Sequence, residues 1–406
     1  MNGLAEYSVR PDDPEFFQDP YPHYRRMRTL GAAFRWKEYG LTVFPSHLEV
    51  NAILRDRRFG RDITHIMSRQ EAGLPPVPEH LRPFHDFEAN SLLEREPPAH
   101  TRLRSLVNRA FLSRHVERLR PRITALAHEL IDGFAQQGAV DLLPAYAERI
   151  PVIVIAELLG VPAEMAPQLL AWSHAMVAMY QFNRSRAIED AAVEATLAFS
   201  QFIRAHVEER RGRRGEDLLT LLIETEEAGD RLSSDELVTT AILLNAGHEA
   251  TVHGIGNAVN ALLAAGIDAA RVFAAPDSGL QAAEEMLRFD PPLHLFARFV
   301  LEDLTLSGVA LRRGETVALL LGSANRDEKR YVDPDRIDFV RGGAGQVGFG
   351  AGIHFCVGAP LARIEVSEAI RVLFERLTGL RLAGPARWAD RYHFHGLGRL
   401  DLQWQA

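Results

Sequence analysis

The chain reads as a mainly α protein with small β-sheets, and three observations predict that class. Apolar residues recur at helical spacing over most of the sequence. Strand signals are few and gather in two places. One stretch near the middle supports a helix of roughly thirty residues. No linker divides the 406 residues, so one domain spanning 1–406 is expected, with 1–15 as a flexible N-terminus.

In chain order, residues 33–36 and 41–44 flank Glu38-Tyr39-Gly40 and predict a hairpin. Residues 61–93 are rich in Pro and Gly and poor in periodicity; a loop that long in a compact domain is usually functional. Helices are predicted over 114–137, 163–180, 188–211, 235–264 and 280–289. Ser233 and Glu236 form a capping box for the fourth of these, which would be about 45 Å long. Asp290-Pro291-Pro292 ends the fifth. Residues 304–306, 309–311 and 316–321 read as strands separated by Ser307-Gly308 and Arg313-Gly314. A last helix starts near Ala359, with Pro360 in its first turn.

Apolar residues make up 47% and charged residues 25%, an ordinary soluble composition. The formal net charge of −8 argues against general nucleic-acid binding. No run of eighteen or more apolar residues occurs, so no membrane span is expected. The first residues show no basic stretch followed by an apolar core, so no secretory signal is expected either.

Cys356 is the only cysteine, so it has no disulfide partner within the chain. It lies in FGAGIHFCVG, where Phe349, Gly352, Cys356 and Gly358 fit F-x-x-G-x-x-x-C-x-G. Glycines at these places bring backbone N–H groups near one sulfur, and the helix N-terminus that follows favours a thiolate. Such a thiolate suits the axial position of a heme iron. Through Phe349, Gly352, His354, Cys356 and Gly358, and on through Leu361, Ala362, Arg363 and Glu365, the chain resembles the cytochrome P-450 family of heme-thiolate monooxygenases.

The resemblance implies a cytochrome P-450 fold from about Phe16 to Leu402, and heme b as cofactor with Cys356 as axial ligand of its iron. Phe349, Gly350 and Gly358 would cradle that ligand. The segment Ala246-Gly247-His248-Glu249-Ala250-Thr251 resembles the oxygen-activating centre of the family's long helix, with Ala246 and Gly247 beside the cofactor and Glu249 passing protons. The common pattern there is A-G-x-[ED]-T-[TS]. This chain departs from it, because Ala250 follows the acid and Thr251 comes one place, about 100° of helix, later. Proton delivery is therefore expected through water, a substrate hydroxyl, or His248 acting with Glu249.

Glu285 and Arg288 lie three apart on one helix face and can pair. The family joins such a pair to a later arginine in a buried network, a role that Arg336 matches. His100 and Arg104, at i and i+4, point from one helix face. With Arg298 and His354 they match the family's partners of the heme carboxylates. The family's pocket positions fall on Leu93, Phe182, Leu243, Leu293, Phe296 and Phe394. An apolar and aromatic lining of that kind suits a small hydrophobic organic substrate.

The implied activity is insertion of one atom of dioxygen into such a substrate by hydroxylation, epoxidation or O-dealkylation. The chain looks like the soluble bacterial type, expected in the cytoplasm. Electrons would come from NAD(P)H through a separate ferredoxin and ferredoxin reductase, with Arg102, Arg109 and Arg114 offering a basic docking face. A peroxide-driven peroxygenase of the same fold ranks lower, because such members tend to carry arginine where Glu249 stands. A heme protein that binds a ligand without turnover is the remaining alternative, and the intact Glu249 weighs against it.

Overall fold

The computed structural model describes residues 3–110, 116–213, 215, 217–227, 232–390 and 392–405, with the side chains of 109, 110 and 225–227 left aside. The start of the predicted 114–137 helix and Arg114 lie outside the described residues, as does the side chain of Arg109.

The helices that position the site are α1 (Ala99–Ala110), α2 (Arg120–Asp132), α3 (Ala166–Val177), α4 (Arg186–Arg211), α5 (Ser234–Ala246), α6 (His248–Ala264), α7 (Pro276–Phe289) and α8 (Ala359–Arg376). Helix α8 packs against α2, α6 and α7, while α4 lies along α3 and also meets α5. Together these surfaces enclose the large apolar core, with residues such as Leu126, Phe199, Ile255, Leu262, Ile370 and Leu373 fully or almost fully buried. Ser233 starts α5 through the capping box, its hydroxyl accepting from Glu236 N while Glu236 accepts from Ser233 N.

The expected continuous central helix is interrupted at Gly247. The ring Nδ1 of His248 bonds the Asn245 carbonyl at 2.5 Å. A helix normally offers that carbonyl to the N–H four residues on. A glycine together with a side chain inserted into the ladder is a recognised cause of a break.

A six-stranded sheet runs β1 (Glu6–Tyr7), β2 (Phe34–Trp36), β3 (Leu41–Phe44), β4 (Phe59–Gly60), β5 (Leu295–Val300) and β6 (Thr316–Leu320) in the spatial order β1-β2-β3-β6-β5-β4. The two predicted strand clusters thus share one sheet: β3 pairs with β6 in parallel, Thr42 opposite Val317. The hairpin of Leu304–Leu306 and Val309–Leu311 stands apart as its own two-stranded sheet. On β5, Phe296 and Arg298 are two residues apart and so point to one face. Short helices at Glu79–Leu81 and Arg82–Glu88 occupy part of the expected 61–93 loop. Among the described residues, no helix is long and apolar enough to cross a membrane.

Glu365 on α8 is buried, and burial pushes its carboxyl up to about 8. A raised folded pKa means that the folded chain holds the proton more tightly than the unfolded one. Stability from this group is therefore full below the unfolded value near 4.5 and falls as pH rises towards 8. Near pH 8 the accumulated cost is of the order of 4 kcal/mol. Glu365→Gln should then raise the thermal midpoint at pH 8.5 and do little at pH 5; equal shifts at both pH values would count against it.

Candidate active site

The cysteine loop doubles back on itself. Gly350 and Gly352 have φ of +71° and +70°, in the left-handed region that glycine tolerates. A Cβ at Gly352 would lie 2.3 Å from the Leu54 carbonyl oxygen, so no larger residue fits without displacing backbone. Cys356 N donates to the Phe349 carbonyl at 2.9 Å, closing the loop, and Arg363 lies over the Phe349 ring at 4.7 Å. Gly358 stands immediately before α8. The Cys356 sulfur is accessible but crowded by protein. That crowding pushes its thiol up, while N–H groups of Gly358 and Ala359 and the guanidinium groups of Arg104 and Arg363 pull it down.

The loop is braced from behind. Glu285 and Arg288 are fully buried and bonded side by side, with Nε–Oε2 and Nη2–Oε1 both 2.8 Å. Arg288 also donates to the carbonyls of Asn325, Pro334 and Arg336, and Glu285 accepts from Asp338 N and Gly343 N. Asn325 in turn accepts from Val347 N at 2.8 Å, three residues before Gly350. The Arg336 expectation needs correction. Its side chain is 80% exposed and 4.0 Å from Asp333, so it contributes only its carbonyl. The guanidinium near Glu285 is that of Arg341, at 3.4 Å. A tight turn at Asp333–Arg336 points the Arg336 side chain outward and lets the chain return through Arg341.

His100, Arg104, Arg298 and His354 come together. The His100 and His354 rings are 4.4 Å apart between centroids, and Arg104 Nη1 donates to the Phe355 carbonyl at 2.5 Å. Arg298 is buried and donates to the adjacent Ala297 carbonyl, with the Phe296 ring 5.7 Å away. Burial and the neighbouring Arg61 hold its guanidinium down to about 9. Nε2 of His100 and of His354 are buried without a hydrogen-bond partner. Excess buried donors of this kind call for anions, and the two carboxylates of heme b match them. One unforeseen anion already sits here: Glu96 accepts from Arg61 N and lies 3.6 Å from His354 Nε2. We expect His100→Ala with Arg104→Ala to lower heme retention more than either change alone, measured as heme per chain after gel filtration. Unchanged occupancy in the double variant would remove both residues from the site.

Along the central helix, Ala246 and Ala250 are partly exposed and Gly247 is exposed, whereas His248, Glu249 and Thr251 are buried. His248 does not pair with Glu249. Adjacent helical side chains diverge by about 100°, and its Nδ1 is taken by Asn245. Two histidines that the sequence reading missed do pair with Glu249: His174 Nε2 at 2.8 Å from Oε2 and His253 Nε2 at 3.2 Å from Oε1. They hold the carboxyl well below its usual range against the opposing effect of burial. His174 on α3 is partly exposed and lines a small cleft with Glu249, Tyr180, Gln181, His393 and Phe394.

The six expected pocket residues are only partly gathered. Leu293 bridges Phe394 in an isolated β-pair, and Phe296 packs against Gly350. Leu243 is half-buried against the large core. Phe182 instead packs edge-on against Tyr39 of the N-terminal hairpin, 4.8 Å between centroids, and Leu93 is exposed. Arg102 pairs with Glu236 at 2.5 Å, so it is not a free surface cation.

A helical fold with one thiol in a glycine loop, cations grouped beside it and a buried acid on the central helix defines a heme-thiolate oxygenase. A family model described as Cytochrome P450 matches residues 281–378. The chain is 37% identical to cytochrome P450 monooxygenase PikC of Streptomyces venezuelae, over 96% of this chain and 92% of the relative. It is also 37% identical to the mycinamicin IV hydroxylase/epoxidase of Micromonospora griseorubida, over 88% and 87%. The solved structure of the bacillaene polyketide synthase cytochrome P450 PksS of Bacillus subtilis 168 superposes with a TM-score of 0.87 at 30% identity, covering 98% of this chain and all of that one. The chain belongs to the cytochrome P450 family. It is a monooxygenase that uses heme b and dioxygen on hydrophobic organic substrates.

Proposed function

We propose that residues 1–406 form one catalytic domain in which Cys356 would hold the heme iron, and that a separate ferredoxin and reductase deliver electrons to it. The observation that carries this reading is the single thiol held among N–H groups and two guanidinium groups at the start of α8. Heme b, when bound, supplies reduction of dioxygen and transfer of one oxygen atom to the substrate. Cys356 as thiolate donates electron density, and Arg104 and Arg363 stabilise its charge. His100, Arg104, Arg298 and His354 would hold the cofactor's carboxylates.

Glu249 and His174 replace the missing alcohol of the usual pattern. Partly exposed His174, once protonated by solvent, holds its Nε2 proton against Glu249 Oε2 and passes it to the carboxylate. His253 on the next turn keeps that carboxylate oriented from the other side. Ordered water past Ala250 completes the path. Glu249→Gln should slow turnover about 100-fold, while Ala250→Thr should change product per NADH only modestly. Normal coupled turnover in Glu249→Gln would end the relay role of Glu249.

PksS carries polyketide biosynthesis in its name. We take a hydrophobic polyketide as the substrate class, in keeping with Leu243, Leu293, Phe296 and Phe394 as the apolar wall. The reading is tested on the purified holoprotein. The reduced carbon monoxide complex should show the thiolate-type Soret band. Polyketides should shift the resting Soret band and yield oxygenated product with NADH, ferredoxin and reductase. Product with peroxide alone and none with the redox proteins would instead assign a peroxygenase.

A further inference from the structure

Asp290, His294 and His395 meet in the interior, at the end of α7, just before β5 and in the C-terminal turn. They are 5%, 0% and 2% exposed. His395 Nε2 lies 3.4 Å and His294 Nε2 lies 3.9 Å from the same oxygen, Asp290 Oδ1. All three donor atoms lie within 4.8 Å of one another. Both contacts are longer than a good N–H···O bond, and both Nε2 atoms lack a hydrogen-bond partner. Buried polar atoms are rarely left in that condition.

The hydrogen bonds around the group leave its Nε2 atoms free to face inward. The Tyr24 hydroxyl lies 2.9 Å from the Tyr392 hydroxyl and 2.8 Å from His294 Nδ1, so Nδ1 is engaged and Nε2 is the ring nitrogen turned towards Asp290. A neutral ring with its proton on Nδ1 presents a bare lone pair at Nε2. In that tautomer the lone pair faces the Asp290 oxygen, and a metal ion between them would bond to both. The outer contacts resemble those that orient metal-binding side chains. Tyr21 donates to Asp290 Oδ1 at 2.5 Å. Asn257 donates to the His395 carbonyl at 2.9 Å and the Asp290 carbonyl at 3.4 Å. Trp388 stacks on the His395 ring at 3.9 Å, and Gly322 leaves room for the His294 ring, which a Cβ would meet at 3.0 Å. Arg326 is the opposing charge nearby, but its guanidinium is face-on to Tyr21 at 3.5 Å and donates to the Phe289 carbonyl.

We propose that Asp290, His294 and His395 bind one divalent transition-metal ion of the zinc class, separate from the heme iron. Zinc bonds of about 2.0–2.1 Å in a tetrahedron separate ligand atoms by about 3.3 Å. The observed 3.4 and 3.9 Å to Asp290 Oδ1 need only a small contraction, and the two Nε2 atoms, within 4.8 Å of each other, must close towards the same spacing. Two imidazoles and one carboxylate form a donor set that zinc accepts, with the fourth position taken by water. The ion would pin the end of α7 and the start of β5 to the C-terminal turn.

The holoprotein, produced with zinc in the medium and then desalted, tests the site. Elemental analysis should find about one zinc per heme iron, and zinc-edge X-ray absorption should show a nitrogen and oxygen shell at about 2.0–2.1 Å with imidazole scattering. The double change His294→Gln with His395→Gln should lower the zinc ratio at least about tenfold, with the heme spectrum confirming that the variant still folds. If the variant does not fold, the parent's own zinc content and absorption shell decide. No zinc in the parent, equal zinc in parent and variant, or a shell without imidazole would overturn the site.

Discussion

Arg288→Ala should yield a chain that fails to retain heme and unfolds at a much lower temperature. Arg288 and Glu285 are both fully buried, so deletion of the guanidinium strands a carboxylate away from water. Asp338 N, Gly343 N and the more distant Arg341 would remain as its partners. The carbonyls of Asn325, Pro334 and Arg336 would lose their donor at the same time. Removal of one member of a buried pair costs about 3–5 kcal/mol, a large part of the roughly 5–15 kcal/mol that holds a typical domain. The damage is aimed at the site, because Asn325 positions Val347 and the glycine loop follows directly. Calorimetry and heme per chain measure the outcome. Parent-like values in both would show that the pair does not brace the loop. Arg336→Ala, by contrast, should leave both values unchanged, since that side chain is solvent-exposed.

The contrast between those two arginines marks where sequence reading stops. Glu285 and Arg288 are legible because three residues on a helix are neighbours whatever the rest of the chain does. A third member from a distant loop depends on how that loop turns, and Arg336 and Arg341 are equally basic on paper. The hairpin strands 304–306 and 309–311 are legible from their turn, whereas the parallel pairing of β3 with β6 joins residues far apart that no local pattern links. Helix α3 was legible by periodicity, yet His174 gave no sign that it reaches Glu249, because that contact depends on how α3 packs across the central helix. His253 was within reach of the sequence: it stands four residues after Glu249, on the same face. The Gly247 break was half legible. The glycine was visible, but the ring of His248 taking the Asn245 carbonyl was not.

Cys356→His should abolish both the thiolate-type carbon monoxide band and product formation while leaving the fold nearly intact. The side chain is accessible, so its replacement removes little packing, and a stability change within about 1 kcal/mol is expected. The loop's shape comes from elsewhere: the left-handed Gly350 and Gly352, and the bond from Cys356 N to the Phe349 carbonyl, which any residue but proline can make. The chemistry, in contrast, depends on the atom. The N–H groups of Gly358 and Ala359 and the charges of Arg104 and Arg363 favour an anion at this point, and a neutral imidazole cannot use them. It also passes far less electron density to an iron than a thiolate does. The chain holds no second thiol to take over. Three measurements separate the roles: thermal unfolding, heme per chain, and the reduced carbon monoxide spectrum beside product per NADH. A folded variant that keeps the thiolate band and turns over would show that Cys356 is not the ligand. A heme-free variant that loses several kcal/mol of stability against the heme-free parent would show that the thiol is a packing residue.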